Sequence, residues 1–241
     1  MNSSSELVCT FVSKKKLDYK KIINFFSKIQ NTNDYKILSY RALDLYCEDI
    51  SKKNKDRLRK FCFNNKIDVC IQKAKWRKKK IFLADMDATM IKDETLDNLV
   101  KIAGIKADID KLSKLAMDGK ISLRDTLKFR VSYLKGKSTQ LIKRVIKNNK
   151  FTGEYIPITG KQNSKLVYLK EICKEKKLDK IKHALAVGDG ANDLGMLQNS
   201  GLGIGYHSHQ IVKKSVENHI QFTDLKTILF YLGFTEKEFS K

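Results

Sequence analysis

Ile81-Phe82-Leu83-Ala84-Asp85-Met86-Asp87-Ala88-Thr89 decides how this chain is read, because four apolar residues run straight into two aspartates. The pattern returns far downstream in Ala184-Leu185-Ala186-Val187-Gly188-Asp189-Gly190-Ala191-Asn192-Asp193. A short apolar run that ends in carboxylates predicts a buried parallel strand. In open α/β sheets, ligands bind beyond the carboxyl ends of such strands. Carboxylates brought together there repel one another unless a cation joins them, and an all-oxygen site suits Mg²⁺. The two segments together predict phosphoryl chemistry assisted by Mg²⁺.

Working outward from the first segment, Glu94 to Ala103 has helical spacing and Gly104 is a stop. Ala107 to Met117 predicts a second helix. Ser122 opens a third, with Asp125 three residues on as a variant capping box. On that helix Leu123, Leu127, Val131 and Leu134 form an apolar stripe, and Arg130 lies along it. A guanidinium there either meets an anion or packs its stem and sends its head to water. Lys137 to Asn149 continues as helix. Phe151 to Thr159, with Gly153 and the only proline, Pro157, predicts a hairpin. Ser164 to Lys177 is a helix before the second acidic strand, Asn192 to Asn199 a helix after it, Gly203 to Tyr206 a further strand and Asp224 to Leu232 a closing helix.

Residues 1–78 read differently, as a small α+β unit that contains no glycine. Strands are expected over Leu7–Val12, within Lys36–Cys47 and over Ile67–Gln72, with helices over Tyr19–Ile29 and Lys52–Phe63. The basic run Lys75-Trp76-Arg77-Lys78-Lys79-Lys80 marks the junction, with Trp76 as a packing anchor rather than a base-stacking platform.

The bulk composition sets outer limits. The 241 residues are 41% hydrophobic, enough for a sizeable core. No stretch approaches the ~18 apolar residues of a membrane span. Met1 to Lys16 lacks the pattern of a secretion signal. The five cysteines, Cys9, Cys47, Cys62, Cys70 and Cys173, form no C-x-x-C pair, which predicts free thiols in a reducing cytoplasm and argues against zinc. The net charge of +22 raises nucleic-acid binding, but seven of the 49 basic residues are arginine and the lysines are spread along the whole chain. Lysine-covered solvated faces, able to attract a small anionic substrate, are the plainer reading.

At the acidic segments, one of Asp85 and Asp87 can attack phosphorus while the other handles protons. Gly188 and Gly190 allow a sharp turn around Asp189, and Asp189 and Asp193 can each reach a cation. The downstream Glu of an EF-hand is missing, which removes a calcium loop. Lys161 or Lys165 can supply a fixed positive charge.

These residues resemble the phosphoserine phosphatase family of the haloacid dehalogenase superfamily, in its bacterial form with an N-terminal extension. The resemblance rests on Asp85-Met86-Asp87-Ala88-Thr89-Met90-Ile91, Glu94, Gly119-Lys120, Arg130-Val131, Leu134-Lys135-Gly136 and Val187 through Leu197. It implies a haloacid dehalogenase-like α/β fold, with a helical cap near 93–149 inside a phosphatase-like domain of 79–241. It further implies a cytoplasmic enzyme that hydrolyses O-phosphoserine in serine biosynthesis through an aspartyl-phosphate. Asp85 would be the nucleophile and Asp87 the acid/base. Asp85, Asp87 (through its backbone carbonyl) and Asp189 would bind Mg²⁺, with Glu94, Arg130, Lys165 and Asn192 on the substrate.

One departure stands out. The family's phosphate-binding Ser-Gly-Gly, at the end of a second strand, occurs nowhere in this chain, and Asn148-Asn149 runs almost directly into Lys150-Phe151-Thr152-Gly153. A parallel sheet missing that strand keeps strands near Ile81, Leu185 and Gly203, and the Ile81 strand becomes an edge open to self-association. Three outcomes follow: a phosphatase in which Thr152 or Lys161 replaces the lost hydroxyl, a catalytically degenerate relative, or a basic anion- or nucleic-acid-binding protein on this scaffold.

Overall fold

The computed structural model describes residues 7–32, 34–90, 109–133, 135–136, 164–178 and 181–239. The expected helices over Glu94–Ala103 and Lys137–Asn149 and the hairpin over Phe151–Thr159 lie outside these residues, as do Glu94, Thr152 and Lys161.

The N-terminal segment alternates as β1 (Leu7–Ser13), α1 (Tyr19–Ser27), β2 (Asp34–Ser39), β3 (Ala42–Cys47), α2 (Lys52–Asn64) and β4 (Ile67–Lys73). This is the β-α-β-β-α-β order of a split βαβ unit. The sheet is antiparallel, in the order β2-β3-β1-β4. Both helices start where the chain supplies a side-chain acceptor: Asp18 takes the Lys21 amide and Ser51 the Asn54 amide. Ile22 and Phe26 of α1 and Leu58 and Cys62 of α2 fill the core on one face of the sheet with Cys9, Phe11, Leu43 and Leu45.

The second sheet is parallel: β5 (Ile81–Ala84), β6 (Ala184–Gly188), β7 (Leu202–Tyr206) and β8 (Asn218–Ile220), in that spatial order. Its helices are α3 (Ile109–Met117), α4 (Leu123–Ser132), α5 (Ser164–Glu175), α6 (Leu194–Asn199), α7 (Gln210–Ser215) and α8 (Thr227–Tyr231). Ser122 caps α4 by accepting the Asp125 amide at 3.4 Å. The strands Ile81–Ala84, Ala184–Gly188 and Leu202–Tyr206 fall where the apolar runs predict them. The three-strand expectation is corrected by β8, which adds a fourth strand. Among the described residues β5 is an edge, with Phe82 51% exposed.

Alternation along the strands sends residues to two different cores. Ala184 and Ala186 face Leu169, Met196 and Val212 on one side. Leu185 and Val187 face the other, where Ile228, Phe230 and Tyr231 of α8 join Val12, Ala42 and Cys70 of the antiparallel sheet. The N-terminal sheet therefore covers one face of the parallel sheet together with α8, and the two sheets share a core. Polar pins reinforce this contact. Asn218 of β8 accepts the Ile71 amide at 3.0 Å, and Asp68 of β4 accepts the amides of Gln221, Phe222 and Thr223.

Arg77, inside the basic run at the junction, is a buried tie rather than a surface charge. Its guanidinium reaches both oxygens of buried Asp44 at 2.6 and 2.8 Å, Thr10 Oγ1 at 2.8 Å and the Phe230 and Tyr231 carbonyls.

Candidate active site

The carboxyl ends of β5 and β6 bring the two acidic segments together. The Asp85 amide donates to the Val187 carbonyl at 2.9 Å, extending the β5–β6 pairing by one residue. This places Asp85 beside the Gly188-Asp189 turn. Oxygens of Asp85, Asp189 and Asp193 all lie within 4.8 Å of one another. Asp189 and Asp193 are buried, and Asp85 is partly buried.

The turn is built around Asp193. Its Oδ2 accepts the amides of Asp189 and Gly190 at 3.1 and 3.2 Å, folding the loop back on itself. A Cβ on Gly188 would sit 2.3 Å from that oxygen, so only glycine leaves room for the brace. Asp193 Oδ1 accepts Lys165 Nζ at 2.6 Å and Asn192 Nδ2 at 3.4 Å. Lys165, in the first turn of α5, also donates to Asp85 Oδ1, so one ammonium bridges the two acidic segments.

Electrostatics follow from this crowding. Burial raises the Asp193 pKa, and although the Lys165 ammonium opposes the rise, the neighbouring charge of Asp85 adds to it. For Lys165, burial works against the ammonium, but the charges of Asp193 and Asp85 outweigh it and leave its pKa above the usual 10.5. The donor set, carboxylate oxygens without thiol or imidazole among the three, suits a hard divalent cation. Asn192 Oδ1 is a buried acceptor with no partner among the described residues, a further oxygen available to an arriving group.

Of the residues predicted from sequence, the structure gathers Asp85, Asp189, Asn192 and Lys165. Asp87 lies on the single wide turn Met86–Met90 and is half-buried, and its carboxylate is not part of the three-carboxylate group. Asp193 occupies that third place. Arg130 lies on α4, and its side chain is outside the described residues, as is Glu94. Thr89 reaches Asp189 Oδ1 at 3.5 Å. His209, which carries no local sequence signal, faces two carboxylates: Nδ1 lies 3.1 Å from Asp118 Oδ1 and Nε2 lies 3.9 Å from Asp189 Oδ2. Asp118 follows α3 directly, so His209 links that helix end to the acidic turn. Met117, the last residue of α3, lies over Gly190, where a Cβ would meet its Sδ at 2.6 Å.

Two sheets of this kind, with an acidic strand end on each of two adjacent parallel strands, define a class. The chain belongs to the haloacid dehalogenase-like hydrolases, whose family profile matches residues 10–229. Within that family its relatives include a probable phosphoserine phosphatase of Schizosaccharomyces pombe, 29% identical over 71% of this chain and 76% of that one. The phosphoserine phosphatase of Methanocaldococcus jannaschii is 28% identical over 65% of this chain and 99% of its own. Those alignments run over 228 and 209 positions, while 71% and 65% of 241 residues are about 171 and 157. They therefore hold about 57 and 52 positions of the relatives with no residue opposite them here. Among solved structures, a HAD family hydrolase of Salmonella enterica serovar Typhi shares the fold with a TM-score of 0.78 over 95% of this chain and 99% of that one, at 20% identity. A phospho-aspartyl intermediate analogue of phosphoserine phosphatase superposes with a TM-score of 0.59 at 26% identity, over 64% of this chain and 99% of its own.

Proposed function

We propose that this chain is a Mg²⁺-dependent phosphoserine phosphatase, hydrolysing O-phosphoserine to serine and phosphate for serine biosynthesis in the cytoplasm. The observation that carries this reading is the joining of Asp85, Asp189 and Asp193 at two adjacent strand ends, bridged by Lys165. Relatives that bear this name, at 28–29% identity, support the substrate. No helix among the described residues is long and apolar enough to cross a membrane.

In this reading residues 1–78 are the N-terminal unit and 79–241 the phosphatase domain, with its cap near 93–149. Asp85 attacks phosphorus and becomes an aspartyl-phosphate. Asp87 protonates the departing serine oxygen, then takes a proton from the water that hydrolyses the intermediate. Lys165 holds Asp85 in place and offsets the charge on the phosphoryl oxygens. Asp193 is already engaged by two amides, Lys165 and Asn192, so it braces the turn. Asp85, Asp189 and the Asp87 carbonyl are left to hold the cation. When bound, Mg²⁺ would neutralise phosphoryl oxygens facing the carboxylates. Glu94 would meet the substrate ammonium, and Arg130 its carboxylate.

The missing Ser-Gly-Gly sets the expected rate. Losing one preorganised donor to the phosphoryl group costs about 3 kcal/mol, roughly 10² in turnover. The test is phosphate release from phosphoserine with Mg²⁺, beside a relative that retains the motif. Slow release that disappears in Asp85→Asn is expected. Release that Asp85→Asn leaves intact would remove the proposed nucleophile, and no release above background would make the chain a degenerate relative.

A further inference from the structure

Three consecutive residues at the end of α3 each meet the acidic turn or the loop beside it. Met117 lies over Gly190, where an added Cβ would come 2.6 Å from both its Sδ and Asn192 Oδ1. Asp118 Oδ1 lies 3.1 Å from His209 Nδ1. Gly119, at φ +72°, runs so close to Ile211 that a Cβ there would meet Cδ1 at 2.7 Å, with Ala191 next to it at 3.5 Å. The amides of Asp118, Gly119 and Lys120 close the helix end by donating to the Lys114, Ala116 and Leu115 carbonyls at 2.9, 2.9 and 2.8 Å.

The polar member of this contact is fixed from the side of the parallel sheet. His209 stands at the N-terminus of α7, and its amide donates to the Asp189 carbonyl at 2.9 Å. Its ring makes no capping bond to α7. Nδ1 instead faces the Asp118 carboxylate, which can only accept, so the ring donates. No other side chain bonds Asp118 among the described residues. An acid at the C-terminal end of a helix is disfavoured by the helix dipole, so Asp118 is placed there against the preference of its own helix. An exposed ion pair alone contributes little. This one is partly buried on both sides and flanked by two close contacts from the adjoining residues, so the helix end is seated at three points.

We propose that the His209–Asp118 bond is a latch that seats α3 over the acidic turn, which makes His209 a positioning residue for the substrate. Helix α4, which carries Arg130, packs on α3, and both lie within the proposed cap. Seating α3 therefore fixes how the cap meets the amino and carboxyl groups of the substrate, apart from the phosphoryl chemistry at Asp85. That effect on substrate rests on the phosphatase reading, whereas the seating itself does not.

Four variants of the full chain test the latch. His209→Ala and Asp118→Ala remove the bond. His209→Asn keeps a donor near the place of Nδ1, and Asp118→Asn keeps an acceptor. Thermal unfolding checks that all four fold. Hydrogen exchange of the resting protein, at the amides of positions 118–120, reads the latch directly. Replacing an acid at a helix C-terminus with alanine would by itself slow exchange there. Loss of the latch predicts the opposite, exchange about tenfold faster in both alanine variants and close to normal in both asparagine variants. Turnover reads the consequence. KM for phosphoserine should rise about tenfold in the alanine variants, with kcat nearly kept and asparagine restoring KM. KM for p-nitrophenyl phosphate, which has neither ammonium nor carboxylate, should not change. Exchange that is unchanged or slower in either alanine variant would overturn the latch. A fall in kcat on both esters, or a KM rise of equal size for both, would overturn the positioning role. A wild-type protein that hydrolyses neither ester would remove the phosphatase reading, while the exchange pattern still decides the latch.

Discussion

Arg77 shows how much one residue can hide in a charged run. Six consecutive residues of the junction are Lys, Trp or Arg, and nothing in their order separates the buried one from the solvated ones. Burial decides it. Arg77 and Asp44 are 8% and 0% exposed and satisfy each other in a fork geometry that lysine cannot reproduce. Gly233, at φ +93°, passes close enough that an added Cβ would meet the guanidinium at 3.2 Å. Removing one partner of a buried, hydrogen-bonded pair leaves the other charge stranded. Arg77→Ala should therefore lower stability in urea unfolding by about 3–5 kcal/mol. A loss below 1 kcal/mol would show that the pair contributes little. The acidic residues were easier to read. Asp85 and Asp189 each stand at the end of an apolar run, which is a local signal. Asp193 was visible only as one of two acids near a glycine turn. Its role as brace depends on Gly188 lacking a side chain, which only the folded loop reveals.

At the level of elements, legibility follows length and periodicity. The strands Leu7–Ser13, Ile81–Ala84 and Ala184–Gly188 are continuous apolar runs and stand out. Strand β8 has three residues, Asn-His-Ile, too few for alternation to register, and α7 has six. Both are fixed by their neighbours. Strand β8 pairs with β7 on one side, and Asn218 reaches across to the Ile71 backbone of β4 on the other. Asn218→Ala leaves the Ile71 amide without its acceptor inside a buried seam. The expected loss is roughly 1–3 kcal/mol, with faster hydrogen exchange at the Ile71 amide. Unchanged exchange there would show that the two sheets are held by apolar contact alone. Strand β5 also follows from what the chain omits. Without Ser-Gly-Gly and the strand before it, the Ile81 strand is expected at an edge, and among the described residues it stands at one with Phe82 half exposed.

At the scale of the molecule, the two sheets meet around one shared apolar cluster, and all five cysteines are buried as free thiols. Sequence spacing suggested free thiols; the depth of their burial needed the fold. Burial pushes the Cys70 thiol from 9.0 up to about 12 and raises Cys62, while a hydrogen bond with Cys47 and then burial raise Cys9. The sign follows from proton counting. Above pH 9.0 the unfolded chain loses these protons while the folded chain keeps them, so alkali favours unfolding. The thiols' contribution is complete below pH 9.0 and fades as the pH rises towards about 12. Urea midpoints should fall across that window, and less steeply in Cys70→Ala. A flat profile would contradict the burial of these groups. The proposed cap and the substrate contacts proposed for Glu94 and Arg130 are the least legible parts, because each depends on residues far away in sequence.

In the proposed reaction Asp85 accepts a phosphoryl group while Lys165, Asp189 and Asp193 hold it in place. Acid quenching during turnover of phosphoserine with Mg²⁺, followed by mass spectrometry of the peptide spanning Ile81 to Met90, tests this most directly. The prediction is a transient gain of one phosphoryl group on Asp85, absent in Asp85→Asn and in the protein without the metal. Serine released with no phosphorylated peptide at any time, or a phosphoryl group found on another residue, would contradict it.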